Sequence, residues 1–314
     1  MASKRALITG GSGYLGSHLA KKLTENGFEV HILDIKKPQH EYYSTYFYID
    51  IRQDLDDIFK YNQYDIVYHL AGRIEVGLSK LEPTEFWDVN VGGTVNLLNA
   101  MKKYNVKNIV FSSTAAVYMA SSSHIKEYGM KTNNSVYGKT KQACEEAIED
   151  SGLNYIIFRF FNLSGADESG LIGENHFPET HLIPNLLKQS NPVIFGDDYN
   201  THDGTCVRDY VHVNDVADAC LKAYNYLSID NKSIALNLGS GEGNSVLDVI
   251  KEIELVSNKK IHYTFQERRE GDPAFLVADI SYAESILKWK PKYSLTDIVK
   301  TAINYQKTID TNFD

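Results

Sequence analysis

The sequence predicts an α/β fold: a doubly wound parallel sheet with a smaller C-terminal lobe. Three observations carry this. The first half holds short apolar runs rich in Val, Ile, Phe and Tyr with little polar alternation, the pattern of strands covered on both faces. Helix-period segments separate these runs, and strand–helix alternation means βαβ units. After Phe161 the rhythm breaks into a loop-rich stretch with Pro178, Pro184 and Pro192, which marks a change of lobe.

In order, strands are expected at Arg5–Thr9, Glu29–Asp34, Tyr46–Asp50, Asp65–Leu70, Asn108–Ser113 and Asn154–Phe161. Helices are expected between them at Tyr14–Asn26, Thr84–Tyr104 and Tyr137–Asp150. One helix at Leu182–Gln189 interrupts the loop-rich stretch. From Arg208 the chain returns to the sheet through a helix at Val213–Tyr226 and a strand at Ile234–Leu238. Helices at Val246–Val256 and Thr296–Lys307 complete the second lobe. The domain division expected is therefore 1–163, with a return at about 206–240, and 164–314.

Composition excludes several function classes. With 314 residues and 43% hydrophobic content, the chain has ample material for a buried core, and wholesale disorder is excluded. No apolar run approaches the roughly 18 residues of a membrane span. The opening MASKRALITG turns glycine-rich too soon for a signal peptide. Cys144, Cys206 and Cys220 form neither a CxxC pair nor a disulfide framework, which fits a reducing cytoplasm. A net charge of −9 without a basic run argues against nucleic acid. A small anionic ligand would have to be held by local donors.

Gly10-Gly11-Ser12-Gly13-Tyr14-Leu15-Gly16 follows the first strand and opens the first helix. Glycines there let the backbone turn tightly, approach a pyrophosphate and pack helix against strand, while the helix N-terminus offers N–H groups to the phosphates. In that context the motif points to a dinucleotide rather than a plain glycine-rich turn. Asp34 ends the second strand, 18 residues after Gly16. A carboxylate there accepts both ribose hydroxyls and repels a 2′-phosphate, which favours NAD over NADP. Lys36 and Lys37 nevertheless follow closely and suit a 2′-phosphate.

Of 21 tyrosines, only Tyr137 has a lysine four residues later, Lys141, and that spacing puts both on one helix face. A tyrosine acting as a base near neutrality needs its pKa lowered by about three units, or about 4 kcal/mol. A nearby ammonium favours the phenolate. Such a pair suits removal of a hydroxyl proton while hydride leaves the same carbon. The motif lies past the strand end Phe111-Ser112-Ser113-Thr114, at the side of a parallel sheet where ligands bind. Thr114 is placed either to bridge Tyr137 and a substrate oxygen or to cap a turn.

These motifs resemble the extended short-chain dehydrogenase/reductase family. TGGSGYLGSH, the strand end at Asp50-Ile51, HLAG, DVNVGGT, SSTAAVY and YGKTK follow the family's order. FRFFNLSGADESGLIGENHFPETHLIP, VIFGDDYNTHDGTCVRDYVHVNDVADA and RREGDPAFLVAD closely resemble the UDP-glucose 4-epimerases within it. The resemblance covers essentially the whole chain. It implies a Rossmann-type NAD-binding domain, a UDP-sugar-binding lobe, and inversion of C4 of a UDP-hexose through a 4-keto sugar.

Residue by residue, the resemblance makes Tyr137 the base and acid on the sugar 4-hydroxyl. It makes Lys141 the holder of the nicotinamide ribose, depressing the Tyr137 pKa, and Thr114 the group positioning the 4-oxygen. The implied NAD-binding set is Gly10, Gly13, Tyr14, Leu15, Gly16, Asp34, Ile35, Asp50, Ile51, Leu70, Ala71, Gly72, Asn90, Ser112, Tyr137, Lys141 and Phe161. Asn162, His181, Leu182, Val193, Phe195, Arg208, Arg269 and Asp272 match positions that hold the uridine diphosphate. Arg208 and Arg269 can grip a diphosphate with forked donors, and Phe195 offers the uracil an apolar face. Outside that context, an arginine is a surface ion pair and Phe195 is ordinary packing. The family also implies a homodimer through the outer faces of Thr84–Tyr104 and Tyr137–Asp150.

The chain departs from the family at several points. Arg73-Ile74-Glu75 replaces the usual lysine near the cofactor, so Arg73 substitutes or that contact is lost. Met119 stands where a glycine usually follows the tyrosine, and Val136 replaces a proline before Tyr137. The stretch from Thr114 to Tyr137 is slightly short. Leu276 occupies the position that gates N-acetylated sugars and leaves that specificity open. An epimerase of UDP-xylose or UDP-arabinose stays an alternative because it shares nearly every motif. Ala115-Ala116 cannot transfer protons, which counts against a sugar-nucleotide dehydratase. A non-catalytic NAD-dependent sensor would be expected to lose the Tyr–Lys pair. His176 and His181 are the best metal-ligating candidates, but no HExxH or His/Cys cluster accompanies them, so no metal is expected.

Overall fold

Seven of the apolar runs pair into one sheet. They are Lys4–Thr9 (β1), Phe28–Asp34 (β2), Thr45–Tyr48 (β3), Ile66–His69 (β4), Asn108–Thr114 (β5), Asn154–Phe160 (β6) and Ile234–Leu238 (β10), in the order β10-β6-β5-β4-β1-β2-β3. The β1–β2, β1–β4, β2–β3 and β4–β5 pairs are parallel. This is the doubly wound arrangement, whose strand order reverses beside β1. The computed structural model describes residues 4–131, 135–175, 179–230, 232–269 and 271–310. They fall into two units: the chain to Met119 with Met130–Arg159 and Ala217–Leu236, and Ala120–Gly129 with Phe160–Val216 and the chain from Asn237.

The β1 register shows how the first unit is layered. Leu7 lies opposite His31 and Val67, on the face whose core holds Leu33, Phe111 and Ile157. Asp56–Lys60 (α2), Gly93–Lys103 (α5) and Val136–Glu149 (α6) cover that face with Phe59, Leu97, Met101, Cys144 and Ile148. On the other face, the Tyr68 hydroxyl donates to Cys220 O at 3.1 Å in Val213–Ile229 (α8). Lys22 of Tyr14–Glu25 (α1) pairs with Asp218 of the same helix α8 at 3.1 Å.

The expected helix Thr84–Tyr104 forms in three parts. Pro83–Phe86 (α4) runs into a π-helical turn at Trp87–Gly92 and then into α5. The Gly92-Gly93 pair weakens the helical preference, and Gly93 lets the helix meet Ile51, whose Cγ2 would lie 2.5 Å from any Cβ there. π-turns of this kind often sit at functional sites. Two short helices, α2 and Val76–Leu81 (α3), escaped the sequence pattern because one or two turns show no clear period.

The second unit holds the small strands Asn162–Ser164 (β7), Val193–Phe195 (β8), Val207–His212 (β9), Gly243–Ser245 (β11), Thr264–Gln266 (β12) and Phe275–Leu276 (β13). Strand β9 pairs with β7, β11 and β13, and β8 pairs with β12. The chain thus regains the large sheet at β10, whereas residues 207–212 belong to the small one. Leu182–Lys188 (α7), Val246–Ser257 (α9) and Leu295–Ile309 (α11) pack around Ile194 and Tyr210. Ser281–Leu287 (α10) precedes Trp289, whose Nε1–H donates to Asp215 O at 2.8 Å. Among the described residues, no helix is long and apolar enough to cross a membrane.

Helix α11 starts in a capping box: Ser294 Oγ accepts from Asp297 N, and Asp297 accepts from Ser294 N at 3.0 Å. Loss of such a cap costs about 1 kcal/mol. Ser294→Ala should therefore lower the melting temperature by about 2 °C in a chain of this size, as measured by calorimetry.

Candidate active site

The glycine loop takes its shape from contacts that only glycine permits. Gly10 has φ +73°, and a Cβ there would lie 2.6 Å from Ala71 N. A Cβ on Gly16 would lie 2.3 Å from Gly10 O. The loop thus fits tightly against the β4 exit at Leu70 and Ala71. A Cβ at Gly13 would crowd only Gly10 O, at 3.3 Å. Gly13 is the N-cap of α1 and no side chain caps that end, so its leading N–H groups fit phosphate oxygens. Asp34 accepts from Ser12 N and from Lys36 N, each at 2.9 Å. That fixes the carboxylate beside the loop, with lone pairs left for hydroxyls. Tyr14 is half-buried, Leu15 buried and Ile35 exposed.

Tyr137 and Lys141 occupy the inner face of α6, with side chains almost wholly buried. The helix begins without the usual proline because Ser135 Oγ accepts from Gly138 N at 3.0 Å. Ser79 Oγ accepts from Tyr137 N at 3.2 Å, fixing the start of the helix from α3. At the end of β5, the Thr114 hydroxyl accepts from Ala116 N at 3.1 Å and lies near enough to the Tyr137 phenol to lower its pKa. Of the two roles expected for Thr114, the cap is present, with its hydroxyl accepting from Ala116 N. Accepting from Ala116 N leaves the Thr114 proton free to be given to the Tyr137 oxygen, and a donor there favours the phenolate.

The electrostatics differ from the expectation that Lys141 depresses Tyr137. Burial pushes the Tyr137 phenol up to about 12, and the Thr114 hydrogen bond only partly offsets this. The Lys141 Nζ donates to Ser112 O at 2.8 Å and sits 4.8 Å from the Phe111 ring centroid. Burial brings the Lys141 ammonium down to about 8. Moving a phenol from about 12 to neutrality corresponds to about 7 kcal/mol, so proton transfer depends on charge supplied within the reacting complex.

Asn90, in the π-turn, ties three parts together. Its Oδ1 accepts from Arg73 N at 2.7 Å, and its Nδ2 donates to Arg73 O at 3.1 Å and Thr140 Oγ1 at 3.0 Å. A Cβ on Gly72 would lie 2.9 Å from Asn90 Oδ1. Arg73 pairs with Glu82 at 2.6 Å and lies 4.8 Å from the Phe86 ring centroid, so its side chain is engaged elsewhere than at Lys141. Asp50 is engaged too: Arg52 donates Nη2 at 2.7 Å and Nε at 3.0 Å, holding the carboxyl below its usual range. Ile51 is buried against α5.

Sequence reasoning missed the polar supports. The ring of His69 bridges Thr9 Oγ1 at 2.7 Å and Thr94 Oγ1 at 2.9 Å. Glu145 and Arg159 form a buried pair at 2.8 Å. The signal existed: Arg159 is a charge inside the apolar strand YIIFRFF, and Glu145 follows Lys141 by one helical turn.

In the second unit the structure groups the candidate substrate residues in two places. Asn162, Arg208 and Leu276 share the small sheet, with Arg208 directly opposite Leu276. Arg208 is 8% exposed and donates to Asp272 Oδ1 at 3.1 Å and Pro273 O at 2.8 Å. Strands β8 and β12 bring together Val193, Phe195 and the following Arg269, whose guanidinium stacks 4.2 Å from the Phe195 ring centroid. One face of Phe195 is therefore covered by Arg269. His181 caps the start of α7, with Leu182 next, and its Nδ1 bonds Glu174. Phe161 is buried and donates its N–H to Leu238 O at 3.0 Å. His176 lies outside the described residues. Among the described ones, Glu174, Glu179 and His181 converge, as do His202, Asp203 and Asp248. The second trio is built around the α9 capping box at Ser245 and Asp248.

A doubly wound sheet with an uncapped glycine-rich helix start, and a buried Tyr–Lys pair beside a strand-end threonine, defines a class of dinucleotide-dependent enzymes. Residues 6–239 match the NAD dependent epimerase/dehydratase family. The chain is 43% identical over 317 residues to a UDP-glucose 4-epimerase of Halalkalibacterium halodurans, covering 96% of this chain and 95% of that one. It is 39% identical over 320 residues to one of Rhizobium meliloti, covering 97% and 98%. The UDP-glucose 4-epimerase of Stenotrophomonas maltophila, solved with bound NAD and formylated UDP-arabinopyranose, matches with TM-score 0.94 at 34% identity, covering 98% and 99%. That of Bifidobacterium longum, in complex with NAD+ and UDP, matches with TM-score 0.91 at 34% identity, covering 99% and 100%. The chain belongs to the NAD dependent epimerase/dehydratase family.

The Thr114 hydrogen bond yields a direct prediction. Thr114→Val keeps the shape but removes the donor to Tyr137, so the phenol should titrate at a higher pH than in the unmodified protein. Ultraviolet difference titration against Tyr137→Phe isolates that one tyrosine. An unmoved titration would contradict the assigned bond.

Proposed function

We propose that the protein is a UDP-glucose 4-epimerase. It inverts C4 of a UDP-hexose, interconverting UDP-galactose and UDP-glucose through transient oxidation to a 4-keto sugar. The observation that carries this reading is the buried Tyr137 phenol beside Thr114, with Lys141 one turn on, at the carboxyl end of β5. Full-length relatives with that name support it.

NAD would be held by Gly10, Gly13, Tyr14, Leu15 and Gly16 at its phosphates, by Asp34 and Ile35 at a ribose, and by Asp50, Ile51, Leu70, Ala71, Gly72, Asn90, Ser112, Lys141 and Phe161 along the rest. When bound it accepts hydride from C4 of the sugar and returns it, so the reaction is redox-neutral. Tyr137 Oη takes the 4-hydroxyl proton and later gives it back. Thr114 aligns the 4-oxygen with that phenol. Lys141, held by Ser112 O and so fixed in direction, would hold the nicotinamide ribose. Asn162, His181, Leu182, Val193, Phe195, Arg208, Arg269 and Asp272 hold the uridine diphosphate, the two arginines meeting its charge. Inversion then requires the keto-sugar to turn about its diphosphate link while the nucleotide stays fixed, with Leu276 beside the sugar.

Purified protein incubated with UDP-galactose and no added nicotinamide cofactor should form UDP-glucose. Tyr137→Phe should lower kcat by about a thousandfold, within the range general acid–base groups contribute. Full turnover by Tyr137→Phe, or no C4 epimer from the unmodified protein, would overturn the assignment.

The protein acts in this account as a cytoplasmic homodimer. The buried, unpaired cysteines support a reducing compartment. Trp87 and Val95, each 42% exposed and eight residues apart along the helix through the π-turn, support pairing between copies. Sedimentation equilibrium should give twice the 35.5 kDa chain mass, and Trp87→Glu should shift the protein toward the single-chain mass. A single-chain mass for the unmodified protein would contradict the dimer.

A further inference from the structure

We propose that Glu145 is a positioning residue that fixes Thr114 relative to Tyr137 and Lys141 from behind the reacting groups. This rests on the epimerase reading above. Glu145 lies one helical turn after Lys141 and two after Tyr137, on the same inward stripe of α6. Its residue exposure is 0%. Among the described residues of its unit, it is the one buried carboxylate.

The carboxylate gathers donors from every segment that frames Thr114. Ser113, the residue just before Thr114, donates Oγ at 2.5 Å. Arg159 of β6 donates Nε at 2.9 Å and Nη2 at 2.8 Å. The same guanidinium gives Nη1 to the Tyr118 hydroxyl at 2.8 Å, and Tyr118 closes the turn that Thr114 caps, donating its N–H to Ala115 O at 3.0 Å. Lys131 donates Nζ at 2.8 Å, and its backbone bridges Tyr118. One charge therefore holds the residue before Thr114, the residue ending its turn and the return leg of the chain. With both flanks fixed, the direction of the Thr114 hydroxyl is set.

A buried ion pair is not required for stability alone, since apolar side chains of similar volume often serve as well or better. What an apolar replacement cannot do is hold four donors in defined directions. Glu145 also bears on charge: it favours the ammonium of Lys141 against the burial that depresses it. The other groups facing Lys141 are Tyr137 and Cys144 on α6, His69 on β4, and the Ser112 carbonyl and Phe111 ring on β5. Loss of the Glu145 charge removes that support, which lowers the Lys141 pKa.

Glu145→Gln and Ser113→Ala test this in the full chain, with UDP-galactose as substrate. For Glu145→Gln, kcat should fall about tenfold with KM within about twofold. The alkaline limb of its kcat profile, and the Lys141 titration seen by NMR of isotope-labelled lysine assigned with Lys141→Met, should both move to lower pH by about half a unit or more. For Ser113→Ala, kcat should fall about threefold or more with the limb unmoved. Glu145→Gln with an unmoved limb and an unmoved Lys141 titration overturns the proposal, whatever its kcat. So does wild-type kcat in Ser113→Ala, which carries the test alone if Glu145→Gln fails to fold. The Lys141 titration needs no turnover, so it separates failure of this proposal from failure of the epimerase assignment.

Discussion

The meeting of the Thr114 hydroxyl with the buried Tyr137 phenol joins a strand end to a helix start, and the chemistry depends on its being made inside the protein. Burial that excludes water from the phenol also drives its pKa up to about 12, away from the value a base needs. The protein answers with directed donors rather than with solvent. Thr114, whose hydroxyl also accepts from Ala116 N, is the group that offsets part of that rise. A preorganised donor of this kind is worth more in a dry site than in water, and it need not be reoriented when the charge develops.

That juxtaposition can be held only if β5, α3 and α6 meet accurately. Gly138 makes the meeting possible, since a Cβ there would lie 2.6 Å from Ala116 O. Ser79 fixes the Tyr137 backbone from α3, and Asn90 fixes Thr140 and the Gly72–Arg73 loop from the π-turn. The same principle shapes the cofactor loop, where Gly10 and Gly16 allow contacts that any side chain would block. Both halves of the cofactor unit thus rely on close backbone approach, with buried polar side chains as locks.

Much of this was legible in the sequence, for identifiable reasons. The strands of the large sheet are long enough and apolar enough to show themselves, and the glycine spacing and Tyr137–Lys141 spacing report backbone and helix geometry directly. The second unit was harder to read because β7, β8, β11, β12 and β13 are two or three residues long, too short for any period. The π-turn was hidden because its residues follow a helical pattern until Asn90 is drawn toward Arg73. The direction taken by Lys141 was invisible because i,i+4 spacing fixes the face of a helix, not where a flexible ammonium ends. Glu145 and Arg159 each violate the local apolar pattern, and those violations were the available signs of a buried network.

The central claim is that the hydrogen at C4 leaves and returns as hydride without exchanging with water. UDP-galactose carrying deuterium at C4 tests this most directly, by mass spectrometry and NMR of the UDP-glucose formed. The account predicts that the product keeps its deuterium at C4 through complete equilibration in ordinary water. Loss of the label to solvent would show that C4 is inverted by proton abstraction instead, and would contradict it.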